Sequence, residues 1–85
     1  MNNGYVTATI HPFVVQQEIC VYVGNECVQT TSVDINHVCE QVCTLCKKYN
    51  IDEVYFHGGQ LYALKWKDDF TSHKFTKQDI HIHID

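Results

Sequence analysis

Apolar and polar residues alternate over 5–11: Val6, Ala8 and Ile10 point one way, and Tyr5, Thr7, Thr9 and His11 the other. A period of two is the mark of a strand with one face buried. Pro12 lacks an amide donor and ends the ladder, so Phe13-Val14-Val15-Gln16-Gln17 reads as an apolar turn or a bent continuation. Residues 18–23 and 26–32 flank Gly24-Asn25, a two-residue hairpin signal. That turn sets Val23 opposite Glu26, Tyr22 opposite Cys27 and Val21 opposite Val28. The period then lengthens. Ile35, Val38, Val42, Leu45 and Tyr49 mark one helical stripe, with Asp34 or Asn36 as N-cap, Lys47 and Lys48 in the last turn and Asn50 as the stop. Residues 52–57 form a short strand, Gly58-Gly59 a turn, and roughly 60–69 a second helix with Leu61 and Leu64 as its core stripe. A last strand over about 78–84 sets Ile80, Ile82 and Ile84 against His81, His83 and Asp85.

The order is β-β-β-α-β-α-β, an α/β fold. Parallel crossovers are right-handed in nearly all cases. Inserting strand 4 beside strand 1, and strand 5 beside strand 4, gives a five-stranded mixed sheet of order 3-2-1-4-5. Both helices then cover the Val/Ile/Ala face. The opposite face has no roof, and it collects Tyr5, Thr7, Thr9, His11, Tyr22, Tyr55, His57, His81 and His83.

Composition narrows the reading. The chain has 85 residues, 45% of them hydrophobic and 12% aromatic, which suits a single domain over 1–85 near the lower size limit for one core. Self-association is an expected way for so small a domain to gain stability. The net charge is −4 and none of the basic residues is Arg, so duplex nucleic acid is not an expected partner. No leader-like or membrane-spanning run is present and the cysteine count of 5 is odd, so a reducing cytoplasm is expected.

In element order the chain resembles a minimal domain of the ribonuclease H-like superfold, without the later helix that usually lies on the second face. That resemblance implies carboxylates in the middle of strand 1, on the first helix and at the end of strand 4, holding two divalent metals. Here strand 1 has none, the helix offers Glu40, and strand 4 ends in His57. Hard oxygen ligands are missing where magnesium would need them, so no catalytic residue is expected. Its N-terminal hairpin, its Leu45-Cys46-Lys47-Lys48-Tyr49-Asn50-Ile51 segment and the short strand and Gly that follow also resemble small uncharacterised bacteriophage proteins.

Candidate chemistry is sparse. His81 and His83 share a strand face about 6.6–7 Å apart, and with His11 and His57 they are the candidates for a zinc site and a metal-dependent hydrolase. The bland alternative is polar decoration of an exposed face, and no cofactor is the favoured expectation. Cys43-Thr44-Leu45-Cys46 is a C-x-x-C with Cys39 one turn earlier, but it falls late in a helix where the dipole does not lower a thiol pKa. These cysteines read as small buried hydrophobes. Gly58-Gly59 lacks the Lys-Ser or Lys-Thr of a phosphate loop, and Tyr62, Trp66 and Phe70 repeat along the second helix, where core use is the default reading. The sequence-level expectation is a non-enzymatic phage-type binding protein in a host cytoplasm. Its open face would meet a second copy, a host (defence) protein or a small nucleotide stacked on Tyr22 and Tyr55.

Overall fold

The structure is a computed structural model describing residues 4–71 and 80–85, with side chains placed over 4–69 and 80–85. It has strands β1 (Gly4–Thr9), β2 (Gln16–Val23), β3 (Glu26–Asp34), β4 (Glu53–His57) and β5 (His81–Ile84), and helices α1 (Val38–Tyr49) and α2 (Gln60–Thr71). The sheet order is β3-β2-β1-β4-β5. β1 is antiparallel to β2 and parallel to β4, and β4 is parallel to β5. The expected architecture is the observed one.

Alternation builds the core. Val6, Ala8, Ile19, Val21, Val54 and Phe56 turn inward and are fully buried. α1 packs over β1, β2 and β3, and α2 over β4 and β5. From α1 come Val38, Val42 and Leu45, together with Cys39, Cys43 and Cys46, which are buried as expected. Asp34 caps the entry by accepting from the Asn36 amide at 2.8 Å, and a 3-10 turn over Ile35–His37 precedes the helix. Asn50 takes the left-handed conformation at the C-terminal cap. Gly24 and Asn25 both have positive φ, the primed turn that matches strand twist.

Several expectations are corrected. Val23 does face Glu26 and Tyr22 faces Cys27, but a bulge follows, so Val21 pairs with Gln29 and Val28 is left 44% exposed. The core stripe of α2 is Ala63 and Trp66. Leu61 and Leu64 are 83% and 52% exposed instead. Gly59 explains that rotation: a Cβ there would lie 2.4 Å from Ile10 Cγ2, so the start of α2 presses directly on β1's continuation. β1 ends at Thr9, β2 begins at Gln16 and β3 runs on to Asp34. In the last strand Ile80 precedes the ladder, and positions 78 and 79 lie outside the described residues. The Phe70 side chain does as well.

The turn after β1 has an unexpected fastening. Gln17, only 1% exposed, accepts from the His11 amide at 2.7 Å and donates through Nε2 to the carbonyls of His11 and Val14. The Val14 amide closes the turn onto the His11 carbonyl. A polar side chain thus enters the core with both its oxygen and its nitrogen bonded.

Candidate functional site

The sheet face away from the helices carries the candidate residues, and register arranges them in rows. Thr7 stands between Cys20 of β2 and Tyr55 of β4, and Tyr55 faces His83 of β5. Tyr5 faces Tyr22, and Glu53 faces His81. Thr9 lies between Glu18 and His57. His11 stands apart. Pro12 bends the chain and Gln17 binds both backbone groups of His11, so it belongs to the turn and not to the strand.

The rings meet in one continuous path. Tyr5 and Tyr22 stack with centroids 5.1 Å apart and planes at 19°, and Tyr5 meets Tyr55 edge-on at 5.6 Å. Tyr55 stacks on His83 at 4.4 Å and 13°. Offset stacks and edge-to-face pairs are the favourable aromatic geometries. The path Tyr22–Tyr5–Tyr55–His83 crosses β2, β1, β4 and β5, a span of about 14 Å at a strand spacing of 4.7–4.9 Å. Two of the three contacts are stacks and the central one is edge-to-face.

Carboxylates accompany the rings. His83 Nε2 donates to Glu53 Oε2 at 2.6 Å, and His57 Nδ1 donates to Asp85 Oδ2 at 2.9 Å. Glu18 is exposed on the same face. Every described lysine (Lys47, Lys48, Lys65, Lys67) lies on a helix. On the β2–β3 side, Cys20 and Cys27 both approach Thr30 Oγ1, at 3.8 and 3.5 Å. Partial burial raises the Cys20 thiol above its ordinary pKa, and the nearby Cys20 and Cys27 raise Tyr22.

The histidines fall into separate pairs: His57 holds Asp85, and His83 holds Glu53. Among the described residues no three His, Cys, Asp or Glu side chains gather where they could hold a metal ion. The helical side offers a different cleft. Cys39, Glu40, Tyr62, Lys65, Trp66 and Asp69 line a groove between α1 and α2. Burial, with the carboxylates of Asp69 and Glu40 nearby, pushes the Cys39 thiol up to about 12, which leaves it protonated and unreactive. Glu40, the one carboxylate the ribonuclease H-like resemblance could use on the first helix, lies in this groove, away from the open face.

Reasoning from sequence passed over Glu18 and Cys20. Both share parity with Tyr22 on β2, and that parity was sufficient to place them beside the tyrosines. No protein-family model, curated protein or solved structure matches this chain, so the ribonuclease H-like likeness remains one of element order.

Proposed function

We propose that this chain is a small non-enzymatic binding protein that docks a protein partner on its open sheet face. The phage-like character of the sequence gives that docking a purpose: inhibiting or sequestering a host component, such as one of defence, in the host cytoplasm. The observation that carries the reading is the ring path Tyr22–Tyr5–Tyr55–His83, which lies on the face that neither helix covers. Tyr combines a large apolar body with a polar tip and is enriched where proteins meet. Among the described residues no helix is long and apolar enough to cross a membrane.

The test is site-specific photocrosslinking in an extract of the cells that make the protein. Benzoylphenylalanine replaces Thr9, on the open face, or Glu40, on the helical side. The expected result is a heavier adduct from position 9 alone, lost when Tyr5→Ser and Tyr55→Ser are added. Equal adducts from both positions, or none from position 9, would overturn the reading. Light scattering on the purified protein separates a hetero-partner from a second copy, since self-docking raises the mass with concentration.

A further inference from the structure

We infer that the occupant of the open face is an extended protein segment bearing cationic side chains, arginine above all, and this inference rests on the docking reading just given. Charge segregation carries it. The face presents Glu18, Glu53 and Asp85 beside the ring path, while the described lysines sit on the helices. The other candidate occupants fit less well. A second copy laid face to face would bring further carboxylates and no described lysine to meet them. A nucleotide would find no described lysine on this face to meet its phosphates.

Arginine suits a face on which exposed carboxylates lie beside aromatic rings. Its planar guanidinium donates in a fork to carboxylates and packs against aromatic rings. Asp85 is well placed to receive it. Its side chain is 70% exposed, and it meets His57 through Oδ2. Glu18 is exposed on the other flank, where Cys20 Sγ is 3.9 Å from its Oε1. The dimensions agree as well. Side chains two apart on an extended chain are about 6.6–7 Å apart, so arginines at i, i+2 and i+4 cover about 13–14 Å, the width of the ring path.

The test measures binding of a fluorescein-labelled heptapeptide alternating Arg and Ser by fluorescence anisotropy, with a second peptide carrying uncharged citrulline for each Arg. Amide shifts in ¹H–¹⁵N NMR spectra locate the contact. The expected result is binding of the Arg peptide, at least about tenfold weaker binding of the citrulline peptide, and shifts confined to open-face residues. Glu18→Gln and Asp85→Asn should each weaken the Arg peptide about two- to fivefold, as exposed ion pairs do. Glu40→Gln, on the helical side, should change nothing. Equal binding of the two peptides on the open face would overturn the cationic occupant and leave the docking reading intact. Absence of binding, or shifts on the helices, would overturn the cationic occupant, and the photocrosslink at position 9 then decides separately whether docking itself stands.

Discussion

Gln17→Leu is the most searching single perturbation of this fold. The substitution keeps side-chain volume near constant and removes the bonds to the His11 amide, the His11 carbonyl and the Val14 carbonyl. Each is worth about 0.5–1.5 kcal/mol net, so the gross loss is about 1.5–4.5 kcal/mol. Two effects reduce it: Leu gains from burial at this 1%-exposed position, and the exposed turn can return its backbone groups to water. A net loss of about 2 kcal/mol follows, against a total stability of about 4–13 kcal/mol for a domain of this length. In a domain this small that lowers Tm by about 8–16 °C. The assay is urea and thermal unfolding followed by far-UV circular dichroism. Gln16→Leu, one residue away on the opposite face, where its side chain accepts from exposed Ser32, is the control and should stay within about 0.5 kcal/mol. A Gln17→Leu loss no larger than the control's would refute the claim that this side chain fastens the turn.

Other outcomes follow from the same geometry. A double-mutant cycle on Tyr55→Leu and His83→Thr should give a coupling of about 0.5–1.5 kcal/mol in urea titrations; zero coupling would mean that the 4.4 Å stack adds nothing. Gly59→Ala should cost at least about 1 kcal/mol more than Gly24→Ala. Both sites have positive φ, but a Cβ at Gly24 meets nothing within 4 Å whereas one at Gly59 strikes Ile10; equal losses would refute the steric argument. In native protein, thiol titration should find Cys27 fast, Cys20 slower, and Cys39, Cys43 and Cys46 protected until denaturation. The Cys39 thiol keeps its proton in the folded state up to about 12 and in the unfolded state only to about its ordinary 9.0. Its contribution is therefore whole below pH 9 and lost as pH climbs from about 9 to 12. Urea midpoints should fall over that range more steeply for the wild type than for Cys39→Ala, and parallel curves would count against the assignment.

What could be read from the sequence depended on how strongly each local pattern excluded its rivals. In β1 and β4 the apolar residues Val6, Ala8, Val54 and Phe56 alternate with Thr, Tyr, Glu and His, and a one-residue slip would turn the whole set over, so both faces were legible. Gly24-Asn25 likewise admitted one turn. β3 was different: Gln29-Thr30-Thr31-Ser32 is polar in either phase, so nothing local opposed the bulge that displaced Val28. In α2, Leu61/Leu64 and Ala63/Trp66 have the same three-residue spacing. Periodicity could not choose between them, and the approach of Gly59 to Ile10 did. Gln17 was illegible for another reason. Its partners are backbone groups of a turn, and no side-chain pattern announces them.

The ring path bears on affinity as well as on shape. Immobilising a side chain on binding costs about 0.5–1.5 kcal/mol, and a surface of loose side chains meets that cost at every contact. Here each ring is already held by a neighbour before any partner arrives. Tyr5 is the keystone of that order, because it touches both Tyr22 and Tyr55. Removing it deletes one contact surface, releases Tyr22 and leaves Tyr55 held by His83 alone, whereas removing Tyr22 deletes a ring at the end of the path and leaves Tyr5 against Tyr55. Tyr5→Ala should therefore weaken the Arg peptide about two- to tenfold more than Tyr22→Ala, the extra factor reflecting the one side chain, Tyr22, that must be ordered anew. If the two substitutions weaken binding equally, the rings act as independent contacts and the stacking contributes no preorganisation.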